Sequence, residues 1–269
     1  METPPETNTY ELALMSWYTE SPLSGRLYAV GDIHGCAQEL QTLLRYLFEN
    51  EKLTENDSLV FLGDFIDRGD DSKGVIEIVT SLKRKNTFFL RGNHEDMFLD
   101  FIGLSGRHGT SWLDNGGIKT VESYGLQYFE SADELISCLP HEHLLFFKNL
   151  LMGVKIGEFL FVHAGVHPLR SLDAQRERDT YWIRNEFIKN THRLKETVVF
   201  GHTPFDDVMI HAPFKIGIDT GVVFGGYLSC IELTQGMLHQ VSSGGDTIKT
   251  RVIDITESTL QLMDGMQHD

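Results

Sequence analysis

The segment Leu27–Gly35 reads LYAVGDIHG, and it decides the fold because an apolar run ends in an acid and a base between two glycines. The run Leu27–Val30 has the composition of a buried strand. Asp32 and His34 follow it, two positions apart. In α/β sheets, ligands collect just past the carboxyl ends of the strands. The segment therefore predicts a strand whose end carries chemistry.

Four further apolar runs end in the same way: FLGDFIDRG at Phe61–Gly69, FLRGNHED at Phe89–Asp96, FVHAG at Phe161–Gly165 and VFGHT at Val199–Thr203. The five ends supply carboxylate, imidazole, amide and guanidinium groups without sulfur: Asp32, His34, Asp64, Asp67, Arg68, Asn93, His94, His163 and His202. Such a donor set suits Mn²⁺, Fe²⁺ or Zn²⁺. Two ions about 3.5–4 Å apart need a shared carboxylate, and Asp64 can supply it.

The first half of the chain alternates between strand and helix patterns. Leucines at 40, 43, 44 and 47 recur at helical spacing after the first strand end. The predicted strands are Arg26–Val30, Ser58–Leu62 and Thr87–Leu90, and the predicted helices include Gly74–Lys83 and one that begins near Glu95. This alternation indicates an α/β domain with parallel strands.

The middle of the chain changes character. Gly103–Gly117 is rich in glycine and predicts a loop that either closes over a substrate or simply connects two elements. Ser131 and Glu134 predict a capping box before a helix. We interpret about 103–150 as a helical insertion. A hairpin that turns at Gly157 and several short strands follow, so the second half is rich in strands.

We therefore expect a single domain over 25–250, preceded by an acidic tail at 1–24 and followed by a tail at 251–269. The formal charge of −16 disfavours nucleic acid and anionic membranes as partners. No apolar run is long enough to span a membrane, and no secretory signal pattern begins the sequence. Three scattered cysteines fit a reducing cytoplasm. The sequence leaves the oligomeric state open.

GDIHG, GDFIDRG, GNHED, HAG and GHT, in this order, resemble the motifs of the phosphoprotein phosphatase family of calcineurin-like metallophosphoesterases. The resemblance covers roughly residues 26–235 and is strongest to the bacterial and bacteriophage branch of lambda-type Ser/Thr protein phosphatases. WLDNGG at Trp112–Gly117 and IDTGVVFGGYL at Ile218–Leu228 match the same branch. The resemblance implies an α/β fold with a central β-sandwich of mixed sheets flanked by helices.

The resemblance also implies roles for individual residues. One metal ion is expected on Asp32, His34 and Asp64. The second is expected on Asp64, Asn93, His163 and His202, with Asp64 bridging. His94, oriented by Asp67, is expected to be the general acid. The phosphate is expected to contact Arg68, Asn93 and Arg184, the last of these in the segment YWIRNEF at Tyr181–Phe187.

The same chemistry follows from the residue types. Two cations, expected to be Mn²⁺ with iron or zinc as alternatives, lower the pKa of bound water to about 7 and so supply a hydroxide nucleophile. Cations and arginines neutralise charge on the phosphoryl oxygens. A protonated His94 serves a basic leaving group, an effect worth about 10²–10⁴-fold in rate.

Three functions compete. The first is a Ser/Thr protein phosphatase, and the alternative is a dinucleoside polyphosphate hydrolase such as the symmetrical diadenosine tetraphosphatases, because FVHAGVHP resembles the equivalent segment of those enzymes. The third is a non-catalytic binding module, which predicts a lost ligand or a lost acid; this sequence retains them all. Arg91 is expected to form a structural ion pair.

Overall fold

Two six-stranded sheets form the centre of the protein. The structure, a computed structural model, describes residues 18–20, 25–128 and 130–258. The strands within these ranges are β1 (Tyr18–Glu20), β2 (Leu27–Val30), β3 (Ser58–Phe61), β4 (Thr87–Phe89), β5 (Gly153–Ile156), β6 (Phe159–Val162), β7 (Thr197–Phe200), β8 (Met209–His211), β9 (Lys215–Gly217), β10 (Tyr227–Glu232), β11 (Met237–Ser242) and β12 (Ile248–Val252).

Helices flank the sheets. They are α1 (Ala37–Glu49), α2 (Ser72–Ser81), α3 (Asn93–Phe101), α4 (Ile118–Ser123), α5 (Ala132–Cys138), α6 (His141–Lys148), α7 (Glu177–Trp182) and α8 (Asn185–Ile188). Short 3₁₀ turns and one π-type turn at Leu113–Gly117 connect some of them. None of the helices in the described ranges is both long and apolar enough to cross a membrane.

Both sheets mix parallel and antiparallel pairs. The first sheet has the order β12-β11-β10-β2-β3-β4, and the second has the order β1-β5-β6-β7-β9-β8. In the first sheet β2, β3 and β4 run parallel, with Val30 opposite Phe61 and Phe61 opposite Phe89. In the second sheet β6 and β7 run parallel, with Phe161 opposite Val199. The chain segments that leave these strands therefore emerge together at one edge of each sheet.

Strand periodicity builds the layers. In β2, Ala29 packs into the cluster between the two sheets, whereas Tyr28 and Val30 belong to the cluster that includes α1 and α2. In β6, Phe161 faces the space between the sheets, and Leu160 joins the outer cluster with α8. Alternate side chains point to opposite faces of a strand, so each sheet buries both faces. The result is a helix–sheet–sheet–helix sandwich, which confirms the predicted α/β class.

The middle and the ends of the chain differ in detail from the sequence-based predictions. The insertion at 103–150 is helical and carries α4, α5 and α6, and the hairpin at Gly157 is present. The predicted capping box was wrong: the Ser131 side chain makes no cap hydrogen bond, and the Glu134 carboxylate accepts the N–H of Glu130 rather than that of Ser131. Strand β1 pairs with β5 although it falls in the predicted tail. The domain boundaries themselves stay a prediction.

Candidate metal centre and active site

The loops that follow the strands bring two groups of ligand-type side chains together. The ligand atoms of His34, Asp64 and His94 lie within 4.8 Å of one another, and so do those of Asp64, His163 and His202. All five side chains are buried. Asp64 belongs to both groups, so its carboxylate has the position that a bridging ligand needs.

Asp32 and Asn93 complete the cluster. Both carboxylate oxygens of Asp32 lie within hydrogen-bond distance of the backbone N–H of His202, at 3.0 and 3.2 Å. The Asn93 side-chain oxygen lies 2.7 Å from His202 Nδ1 and 3.0 Å from His163 Nε2. The structure thus gathers all six residues predicted as metal ligands, from both sheets, in one place.

Hydrogen bonds orient two of the imidazoles, and burial disfavours the charged form of three. Nδ1 of His34 donates to the Ile66 carbonyl at 2.9 Å, and Nδ1 of His163 donates to the Leu62 carbonyl at 2.8 Å. A carbonyl oxygen only accepts, so each Nε2 keeps a lone pair for a cation. Burial lowers the pKa of His34, of His163 and of His202. Neutral imidazole is the form that binds metals.

Negative charge accumulates beside these rings. Burial and the neighbouring carboxylates of Asp219 and Asp64 raise the pKa of Asp32 well above its usual value. Burial alone would raise the pKa of Asp64, but His163 and the other imidazoles lower it overall. Burial also raises the pKa of Asp219 to about 6. Repulsion among buried carboxylates is what a divalent cation relieves, so this donor set fits two such ions.

Several site residues hold an unusual backbone conformation. The φ angles are 47° at His34, 52° at Asp64, 74° at Asp67, 70° at Arg68 and 65° at His202. A non-glycine residue in this left-handed region costs on the order of 1 kcal/mol, and it persists only where the surroundings fix it. The fold therefore stores strain at these strand ends.

Glu95 fixes part of that strained loop. Its Oε1 accepts the backbone N–H groups of Phe65 and Ile66 at 2.8 and 3.3 Å. Its Oε2 accepts those of Asp64 and Gly92, both at 2.9 Å. One fully buried carboxylate thus satisfies four donors at the turn that presents Asp64. Glu95 was not predicted as a site residue, although it lies in the GNHED motif beside His94.

The predicted acid has a buried partner. His94 Nδ1 donates to Asp67 Oδ2 at 2.6 Å, and His94 Nε2 is buried without a hydrogen-bond partner among the described residues. Trp112 Nε1 donates to the same Asp67 oxygen at 2.8 Å, and the Thr120 hydroxyl donates to Asp67 Oδ1 at 2.6 Å. The sequence analysis singled out the segment of Trp112 but missed Thr120 and this network.

The protonation state of His94 follows from its neighbours. Burial lowers the pKa of His94, but the charge of Asp64 and the hydrogen bond to Asp67 outweigh burial and raise it. The ring of His34 lies 4.7 Å away, edge-on, and burial lowers its pKa. The raised pKa favours the protonated form of His94, and its free Nε2 is the atom that a proton donor requires.

Two arginines stand at the cluster. Arg68 Nη1 lies 2.5 Å from His34 Nε2, and its guanidinium packs over Phe224 at 5.4 Å. Burial lowers the pKa of Arg184, and the charges of Asp64 and Asp32 act in the opposite direction. Both were predicted as phosphate ligands, and guanidinium groups match phosphate oxygens well.

Arg91 has a structural role, as the sequence analysis expected. Its Nη2 forms an ion pair with Asp96 Oδ1 at 3.0 Å and donates to the Ser105 carbonyl at 2.7 Å. Both charged side chains of the pair are buried. The ion pair ties α3 to the start of the predicted glycine-rich loop.

Comparisons with known proteins agree with this site. The model of the calcineurin-like phosphoesterase family matches residues 25–233. The chain is 28% identical over 252 residues to the asymmetrical bis(5'-nucleosyl)-tetraphosphatase PrpE of Oceanobacillus iheyensis, covering 85% of this chain and 97% of the relative. It is 32% identical over 208 residues to serine/threonine-protein phosphatase 1 of Salmonella typhimurium, covering 76% and 89%.

A solved structure supports the same grouping. A crystal structure provisionally described as a diadenosine tetraphosphatase superposes with a TM-score of 0.64 at 26% identity, covering 85% of this chain and 98% of the other. The family match spans well over half of the chain, and the buried carboxylates and imidazoles fit the divalent ions of metal-dependent phosphoester hydrolysis. The chain belongs to the calcineurin-like phosphoesterase family of metallophosphoesterases.

Proposed function

We propose that this metallophosphoesterase hydrolyses dinucleoside polyphosphates, with diadenosine tetraphosphate as the representative substrate. The observation that carries the proposal is the similarity to PrpE, because this chain covers 97% of that relative rather than only the metal-binding motifs. The structural similarity to the diadenosine tetraphosphatase likewise covers 98% of that chain. Sequence motifs alone favoured phosphoproteins first; the comparisons support the alternative better.

The catalytic residues act as follows. Two divalent ions, when bound, supply a hydroxide nucleophile and neutralise phosphoryl charge. Their proposed ligands are Asp32, His34, Asp64, Asn93, His163 and His202. Arg68 and Arg184 bind the non-bridging oxygens and hold the phosphorus for in-line attack.

His94 serves the leaving group. Its free Nε2 donates the proton to the departing oxygen. Asp67 accepts the hydrogen bond from Nδ1 and so holds the ring in its orientation. For an anhydride, the leaving phosphate is a weak base and needs this proton less than an alkoxide does. The same residues can therefore serve both substrate classes, and the discrimination between them must come from groups around the metal centre.

A Ser/Thr protein phosphatase is the second candidate. The Salmonella typhimurium relative carries that name and is 32% identical, and this chain covers 89% of it. Hydrolysis of phosphoserine releases the serine oxygen as an alkoxide leaving group, and the buried pair of His94 and Asp67 provides the acid for it.

A side-by-side assay decides between the two. Purified protein with Mn²⁺ should hydrolyse diadenosine tetraphosphate with a kcat/KM about 100-fold above that for a phosphoserine peptide, a difference of about 2.7 kcal/mol in transition-state stabilisation. Chromatography should resolve two different nucleotide products, because the PrpE relative is named an asymmetrical tetraphosphatase. A higher kcat/KM on the peptide would reject this proposal in favour of the second candidate. A chelator should abolish both activities.

A further inference from the structure

A pocket of about 520 Å³ opens at α7 and α8, and its lining is rich in arginine. The lining residues that could contact an anionic or aromatic ligand are Arg170, Arg176, Arg178, Arg184, Trp182 and His108. Arg184, which the sequence analysis predicted as a phosphate ligand, is one of these lining residues. A pocket of 300–1,000 Å³ accommodates a ligand far larger than one phosphate group.

The wall of this pocket is attached to the catalytic strand ends at two points. The backbone N–H of Ala164, the residue after His163, donates to the Thr180 carbonyl in α7 at 2.7 Å. Trp182 Nε1 donates to Asp96 Oδ2 at 3.1 Å, and Asp96 lies two residues after His94 on α3. The pocket therefore has a fixed position relative to the metal ligands and the acid.

The charge of the pocket opposes that of the whole protein. The formal charge of the chain is −16, yet four arginines line this pocket beside only two acids, Asp179 and Glu186. Arg170 pairs with Asp179. Arg176 and Arg178 are exposed, and neither side chain has an ion-pair partner in the part of the chain that the structure describes. Unpaired arginines on an acidic protein attract an anion locally.

We propose that this pocket binds the part of the substrate beyond the attacked phosphate, with Arg176 and Arg178 holding the distal phosphates of a polyphosphate chain. This inference rests on the proposed dinucleoside polyphosphate hydrolysis. The guanidinium fork matches phosphate oxygens bidentately. Trp182 and His108, with ring centroids 4.9 Å apart, add an aromatic wall for the attached nucleoside. Such a subsite favours a polyphosphate over a phosphomonoester.

The test uses a double variant and a charge-matched control. Arg176→Ala with Arg178→Ala removes both exposed arginines. Arg45→Ala with Lys85→Ala removes two exposed positive charges from α1 and from the segment after α2. The pocket variant should raise KM for diadenosine tetraphosphate about tenfold with kcat within about twofold, equivalent to about 1.4 kcal/mol of binding. Its kinetics on p-nitrophenyl phosphate, and those of the control variant on both substrates, should stay at the wild-type values.

Calorimetric binding of ATP, with Mn²⁺ in fixed excess, separates this inference from the proposed function. ATP should bind the pocket variant about tenfold more weakly than it binds the wild type or the control. Equal affinity for the wild type and the pocket variant would overturn the inference, whatever the hydrolysis assay shows. A pocket variant impaired on an acidic phosphoserine peptide but not on diadenosine tetraphosphate would also overturn it, in favour of an acidic peptide in the pocket. Failure of the wild type to hydrolyse diadenosine tetraphosphate rejects the proposed function instead.

Discussion

Replacement of His94 by asparagine should separate substrates by the basicity of their leaving groups. The change removes Nε2, the atom proposed to donate the proton, and it removes the bond of Nδ1 to Asp67 at 2.6 Å. The charge of Asp64 and the hydrogen bond to Asp67 raise the pKa of His94 and so favour the protonated imidazole. Loss of a positioned general acid costs about 10²–10⁴-fold in rate where the leaving group needs the proton.

The assay compares three substrates under one set of conditions. On a phosphoserine peptide, the His94→Asn variant should lose about 10²–10⁴-fold in kcat, because serine leaves as a strongly basic alkoxide. On p-nitrophenyl phosphate and on diadenosine tetraphosphate it should lose less than about tenfold, because both leaving groups are weak bases. His141→Asn, an exposed histidine on α6, is the matched control and should behave as the wild type.

Equal losses on all three substrates would refute the acid assignment. The first group of ligand atoms offers the competing explanation, because His94 lies there with His34 and Asp64. Removal of a histidine that helped to hold a metal would slow the hydrolysis of every substrate alike, and the variant would also bind less metal. Measurement of bound manganese in the same preparation distinguishes the two roles.

Three further substitutions test other parts of the structure. Asp64→Asn should weaken both metal sites together, and elemental analysis after dialysis should find less than one ion per chain; two retained ions would contradict a bridging role. Glu95→Gln should lower the free energy of unfolding by about 2–4 kcal/mol, because an amide –NH₂ then faces backbone donors that a carboxylate oxygen satisfied, and urea denaturation should show the loss. Burial lowers the pKa of Lys215 to about 8 in the folded state, below its unfolded value. The unfolded chain therefore binds more protons between about pH 8 and 10, and wild-type stability relative to Lys215→Met should rise by about 3 kcal/mol across that interval in urea titrations; a flat difference would show that Lys215 titrates normally.

Local patterns in the sequence predicted the parts of the structure that depend on local physics. The apolar runs before Asp32, Asp64 and His163 formed buried strands, because a buried strand needs little beyond a short apolar segment. Parallel pairing then placed their ends at one edge, as the fold class requires. The spacing of leucines likewise predicted α1 within a few residues.

The features that the sequence did not reveal depend on contacts between distant segments. Thr120 and Trp112 reach Asp67 from the insertion, 53 and 45 residues along the chain, and no local pattern records such a contact. The Glu95 carboxylate accepts backbone N–H groups rather than contacting side chains, so its place in the GNHED motif did not reveal this role. The failed capping box is a local difference: the Glu134 carboxylate accepts the N–H of Glu130, one residue before the predicted donor.

The left-handed backbone at Asp64 and His202 costs folding stability at two residues that are proposed to hold the metal ions. Glycine would relax the chain at either position, and a sequence optimised only for thermal stability would carry glycine there. A carboxylate and an imidazole at these two turns therefore trade local stability for the donor atoms of the proposed metal centre. Engineers who seek hardier variants of this protein should therefore look for gains on its outer helices and leave these turns untouched.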